Sequence, residues 1–167
     1  MKITIISGTN RKNSYTRSVS QVYYQLLNER KIINRLLLLD ENDLTHRDEN
    51  FKRVEAEVLI PADAFIFVLP EYNGSYPGIL KLMIDQTDIE KVWWYKKALL
   101  TGVSSGRAGN LRGMEHLTGS LLYLKMHVHH NRLPISLVTT LFNENGQLMH
   151  APTLEAINHQ LDQFLNE

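Results

Sequence analysis

Two short stretches concentrate the residue types that hold an anion and a flat ring. The first is Lys2 to Thr16, KITIISGTNRKNSYT. Ile3, Ile5 and Ile6 with Thr4 form a β-branched apolar run, the pattern of a strand buried on both faces of a parallel sheet. The run stops at Ser7-Gly8, and a polar loop follows. Ser14 stands at a helix N-cap position, because Val19, Val22 or Tyr23, and Leu26 or Leu27 recur at helical spacing. The unpaired N–H groups of the first helical turn make this geometry an anion site. Thr9, Ser14 and Thr16 add hydroxyls, Tyr15 stands among them, and Arg11 adds a charge-assisted fork. The same residues also suit an ordinary strand-to-helix connection. Gly8 is the only glycine before Gly74, so neither GxGxxG nor GxxxxGK[ST] is present. The anion expected here is therefore a monophosphate, held by side chains as much as by bare backbone.

The second stretch is Pro70-Glu71-Tyr72-Asn73-Gly74-Ser75-Tyr76-Pro77-Gly78. Two prolines, two glycines and an Asn-Gly pair make it a structured turn. It follows Ala64 to Leu69, AFIFVL, which has no polar break and reads as a central parallel strand. Two tyrosines beside free backbone N–H groups suit a flat heterocycle. A tight connection with exposed tyrosines is the plainer reading. A third small-residue loop, Ser104-Ser105-Gly106-Arg107-Ala108-Gly109, follows the strand Ala98 to Val103.

These loops resemble a known family. Ser7 to Thr16 is similar to the G-S-x-R-x-x-S-x-N loop of the NAD(P)H-dependent FMN reductases, with Thr9 in place of Ser and Thr16 in place of Asn. PEYNGSYPGILKLMID resembles the family's PEYNGSxPGxLKNxID motif, with Lys-Leu-Met in place of Lys-Asn-x and no Trp after Asp85. The loop at 104 to 109 matches the family's glycine-rich third loop loosely, with Ser-Ser in place of Gly-Gly. The resemblance implies a flavodoxin-like α/β domain over residues 1–167, with five parallel strands in order 2-1-3-4-5. It implies that Thr9, Arg11, Ser14, Tyr15 and Thr16 hold the phosphate of FMN. Pro70, Glu71, Tyr72, Asn73 and Gly74, with Ser104, Ser105 and Gly106, would lie against its ring. The implied activity carries hydride from NAD(P)H to FMN and on to a quinone, azo, flavin or metal-ion acceptor. The flavin carries that chemistry, so no side chain is named as catalytic.

The elements that must position these loops are also legible. Strands are predicted at Arg35 to Asp40 and Ile135 to Leu141, and helices at Phe51 to Ile60, Gly78 to Asp85, about Asn110 to Lys125, and around Leu154 to Leu165. Alternating strands and helices argue for βαβ crossovers in a doubly wound sheet, whose ligands sit past the strands' carboxyl ends. The chain is one domain long at 167 residues, with 18 basic and 18 acidic side chains and no cysteine. That balance favours neither nucleic acid nor an anionic membrane surface. It also excludes disulfides and thiolate catalysis. No apolar run reaches the roughly 18 residues a membrane span needs, and a strand that begins at once leaves no room for a leader. A cytoplasmic protein is expected.

Zero net charge and Arg11 speak against an acidic flavodoxin-type electron carrier; a redox sensor with little turnover stays open. The apolar helix 78 to 85 exceeds what one core contact buries, and the loop 41 to 50 is too polar to cover it. A homodimer, or a pair of dimers, is therefore expected, and the resemblance points the same way. His127, His129 and His130 lack a third-ligand pattern, so no metal is expected. Trp93, Trp94 and Tyr95 fit a cleft, an interface or ordinary packing.

Overall fold

From Ile3 onward β1 (Lys2–Ser7) is buried on both faces. In the computed structural model, which describes residues 1–166, it is an interior strand of a parallel sheet. The helix α1 (Tyr15–Glu29) returns the chain to β2 (Ile33–Leu38), which pairs with β1 on one side. The strand β3 (Ala64–Pro70) pairs with β1 on the other side, and β4 (Lys97–Val103) pairs with β3. The order is β2-β1-β3-β4 with a fifth position beyond, as the resemblance implies.

Side chains alternate between two cores. Ile6, Phe65, Phe67 and Leu100 face one cluster with Phe51, Met83, Trp93 and Leu117. Ile3, Ile5, Ile66 and Leu99 face the other with Val19, Tyr23, Leu27, Leu161 and Phe164. Both faces are apolar, so the period-2 pattern of a half-exposed strand is missing and these runs read as unbroken. The first core is covered by α2 (Glu49–Val54), which runs on into a π-helical turn, Glu55–Leu59. It is also covered by α3 (Gly78–Gln86), the single turn α4 (Ile89–Val92) and α5 (Leu111–Tyr123). The second core is covered by α1 and α6 (Ala151–Asn166).

Four expectations need correction. The second strand begins at Ile33 and ends at Leu38, two residues earlier than expected. The fifth sheet position is split between β5 (His127–Val128) and β6 (Leu133–Ile135), both paired with β4. Residues 136 to 141 do not extend that strand. Leu137 has a φ of +50°, and its N–H donates to Gly106 O while Val138 N–H donates to Ser104 O. The chain thus leaves the sheet to brace the third loop, and a 3₁₀ turn, Val138–Thr140, follows. On α3, Leu80, Met83 and Ile84 are buried within this chain. Leu44, from the loop expected to be too polar, is 1% exposed in the same cluster, and Gln86 Nε2 donates to Leu44 O and Thr45 O. Only Leu82, at 40% exposure, keeps an outward apolar face. Trp93 is core, its Nε1–H donating to Thr87 Oγ1 at 2.6 Å.

Gln160 on α6 seals the split fifth position. Its Nε2 donates to Leu100 O on β4 at 3.0 Å and to Asn131 O, between β5 and β6, at 2.8 Å. Its Oε1 accepts from the hydroxyl of Tyr23, a phenol that burial pushes well above its ordinary pKa and that also contacts Thr101 Oγ1 at 2.7 Å. Tyr23→Phe would leave the Gln160 oxygen only the longer approach of Thr101, at 3.3 Å. We expect a loss of about 1–3 kcal/mol. Urea unfolding with an unchanged slope is the measurement.

Candidate functional site

The carboxyl ends of β1, β3 and β4 open on one edge of the sheet, and three loops meet there. In the first, Gly8 N–H donates to Val68 O at 2.8 Å, which anchors the loop to β3. Asn13 takes a φ of +53° and turns the chain into α1. Ser14 caps that helix, its Oγ accepting from Arg17 N–H at 3.2 Å. The N–H groups of Lys12, Asn13, Ser14, Tyr15 and Thr16 meet no protein acceptor among the described residues. Of these residues Lys12, Ser14, Tyr15 and Thr16 line the cleft, together with Arg11. Free donors and two cations make this loop an anion cradle.

The second loop is a two-residue hairpin. Tyr72 N–H donates to Ser75 O and Ser75 N–H to Tyr72 O, while Asn73 and Gly74 have φ values of +52° and +78°. Both signs are positive, the type I′ geometry that Asn-Gly favours. The turn is clamped from three sides. Tyr72 OH meets Thr9 Oγ1 at 2.6 Å, and Arg11 lies over the Tyr72 ring, 4.0 Å from its centroid. Ser75 Oγ meets His116 Nδ1 at 2.9 Å. The Arg112 guanidinium lies so near the turn that a Cβ at Gly74 would stand 3.0 Å from Nη1.

The third loop folds back on its own strand. Ser104 Oγ–H donates to Gly106 O and accepts from Gly109 N–H, each at 3.0 Å. A Cβ at Gly102 would stand 2.2 Å from Gly109 O, so only glycine lets the loop return this closely. Asn110, buried with a φ of +61°, caps α5 by accepting from Gly113 N–H, and its Nδ2 donates to Leu69 O on β3 at 3.0 Å.

Together the loops wall a cleft of about 700 Å³, within the range that holds a small-molecule ligand. Arg11, Ser14, Tyr15 and Thr16 line it from the first loop, Pro70 to Gly74 from the second, and Ser104 to Gly106 from the third. Thr9 alone of the expected residues does not. It is 1% exposed, and its hydroxyl is held between Arg11 N–H and the Tyr72 phenol. It braces two loops against each other and offers no hydroxyl to the cleft. Lys12, Val103, Arg107, Ala108, Val138 and Thr139 complete the lining. Lys12 and Arg107 stood inside loops already singled out; Val138 and Thr139 were hidden by the strand expected there.

Trp94 and Tyr95 are elsewhere, with Lys125 Nζ 3.3 Å from the Trp94 ring centroid. His127 pairs with Lys97 at the amino end of β4, away from the cleft, and His129 rests edge-on against Phe164. No group of three His, Asp or Glu side chains among the described residues could hold a metal ion.

A family model described as NADPH-dependent FMN reductase matches residues 1–139. An NAD(P)H-dependent FMN reductase of Pseudomonas aeruginosa is 35% identical over 108 residues, 63% of this chain. The match spans only 58% of that relative's length. A 2-hydroxy-1,4-benzoquinone reductase of a Burkholderia species is 24% identical over 98% of this chain and 94% of its own length. Among solved structures, a flavoenzyme NAD(P)H:(acceptor) oxidoreductase of Paracoccus denitrificans superposes with a TM-score of 0.82. It covers 99% of this chain and 95% of its own, at 23% identity, which supports the shared fold.

Asn110 ties the third loop to the strand carrying the second, so Asn110→Ala should loosen both. Leu69 O loses its donor and α5 loses its cap, for an expected cost of about 2–4 kcal/mol. Hydrogen exchange should show lost protection first in residues 104 to 113.

Proposed function

The chain belongs to the NADPH-dependent FMN reductase family, and on that premise we propose a single FMN-binding domain that passes reducing equivalents from NAD(P)H to a small-molecule acceptor. Quinones are the acceptor class favoured by the names of its relatives. One observation carries the reading: a cationic, donor-rich cradle and a rigid aromatic turn line one cleft and are joined where Arg11 lies over Tyr72. That donor set fits FMN. Arg11, Lys12 and the free N–H groups of α1 suit one phosphate monoester, and the sequence has no GxGxxG pattern of the kind that seats a dinucleotide's pyrophosphate on a helix N-terminus.

Each side chain has a definable task. Arg11 and Ser14, with the N–H groups of Tyr15 and Thr16, bind the phosphate. Tyr72 offers a ring face and fixes the height of the second turn through Thr9. Asn73, Gly74, Ser105 and Gly106 carry N–H groups with no protein acceptor among the described residues. Fixed donors of this kind stabilise negative charge gathering on a reduced ring without having to reorganise. Bound FMN would supply the hydride and electron-transfer chemistry between nicotinamide and acceptor. No side chain is required to break or form a bond.

A homodimer with a cytoplasmic setting completes the proposal. Leu82 on α3 and Leu111, Leu122 and Tyr123 on α5 expose apolar surface on helices that follow the second and third loops. None of the described helices is long and apolar enough to cross a membrane.

Purified protein should copurify with FMN, release no FAD, and oxidise NAD(P)H with a quinone as acceptor; released FAD would overturn the cradle reading. Arg11→Ala should weaken FMN by roughly 10- to 100-fold, about 1.5–3 kcal/mol, and leave riboflavin binding near the parent value. Equal loss for both ligands would place Arg11 on the ring. Sedimentation at micromolar concentration should give twice the chain mass of 19.3 kDa.

A further inference from the structure

The positive charge of this neutral chain is unevenly satisfied. Arg17, Arg30, Arg47, Arg53 and Arg132 each sit on a carboxylate, and Arg35 donates to a backbone carbonyl. Arg11, Arg107 and Arg112 have neither among the described residues, and all three stand at the cleft or its rim. Arg107 lines the third loop and is exposed. Arg112 lies over the Asn73-Gly74 turn. Glu71 is the only carboxylate lining the same cavity.

Arg11 is accounted for by the cofactor phosphate; the other two are not. Arg107 precedes α5 and Arg112 stands in its first turn, whereas the cradle is built at the start of α1. A monophosphate seated on Arg11 and Lys12 leaves Arg107 and Arg112 without a carboxylate or phosphate partner, and two exposed guanidinium groups beside one cleft are suited to bind a further anion. We propose that Arg107 and Arg112 form a second anion-binding point, distinct from the FMN cradle, that receives a phosphate of the reduced pyridine dinucleotide. This rests on the flavin reading of the cleft. The phosphate is either the bridging pyrophosphate, common to NADH and NADPH, or the 2′-phosphate of NADPH alone. An arginine is the ordinary partner of that 2′-phosphate, whereas a carboxylate marks selection for the free ribose.

The test uses FMN-loaded protein, as parent, as R107Q, R112Q and the double variant, and as R107K with R112K. Both arginines are exposed, so their replacement should leave the fold intact; because Arg112 lies against the Asn73-Gly74 turn, FMN affinity is read for every variant by flavin fluorescence and the donor is measured at saturating FMN. With an uncharged benzoquinone as acceptor, the double glutamine variant should raise KM for the donor by about 10-fold or more while kcat changes by less than about twofold. Calorimetric titration with NADP⁺ and NAD⁺ should show the same loss without turnover, and the double lysine variant should recover part of it. Loss confined to NADPH and NADP⁺ assigns the 2′-phosphate; equal loss for both nucleotides assigns the pyrophosphate. Either result supports the proposal. Unchanged donor KM and NADP⁺ affinity would overturn it, as would an effect seen only in the KM of a sulfonated quinone, which would make the anion the acceptor's. A parent protein that binds no FMN would overturn the flavin reading as well, whereas intact FMN binding with unchanged donor affinity overturns this inference alone.

Discussion

Parallel pairing is the constraint from which the site follows. Strands that run the same way must all end on one edge, and each must hand its chain to a crossover there. The register sets Ser7 beside Val68, and Pro70 beside Val103. The loops leaving β1, β3 and β4 therefore emerge side by side, although the outer two strands end at Ser7 and Val103, far apart along the chain. The polar residues of the cleft are brought there by ladders made elsewhere, in which only Pro70 and Val103 of the cleft lining take part.

How far this could be read from residue types depended on where the information was local. The strands 3 to 6, 64 to 69 and 98 to 103 were legible because burial on both faces leaves unbroken apolar runs. The Asn73-Gly74 hairpin was legible because its backbone conformation is a property of those two residues. Twelve of the thirteen expected site residues line the cleft, since each belongs to a loop at the same sheet edge. Thr9 was misread because its role depends on a phenol 63 residues away. The fate of residues 136 to 141 was equally illegible: an apolar run suits a strand, and only the carbonyls of Ser104 and Gly106 pull it off the sheet. Leu44 was lost in a charged stretch, where one apolar side chain gives no period to follow.

The loops are held to one another as firmly as to the sheet. The first and second share the Thr9–Tyr72 hydrogen bond, and the second meets α5 through Ser75 and His116. The third is tied to the end of β3 by Asn110. A ligand entering such a cleft meets a Tyr72 side chain and loop backbones already held in place, so less ordering entropy is lost on binding. The exposed arginines differ, being fastened to no carboxylate.

The amide of Gln160 has a consequence beyond the core. It occupies a carbonyl of β4 that a continuous fifth strand would otherwise satisfy, and it comes from a helix 60 residues further along the chain. Until that helix docks, the sheet ends in an interrupted ladder with an open acceptor, the kind of edge on which another chain can build. A shortened chain lacking α6 would keep its central strands yet expose that edge. The last helix thus guards against self-association as well as filling one face, and its loss should be felt first as insolubility.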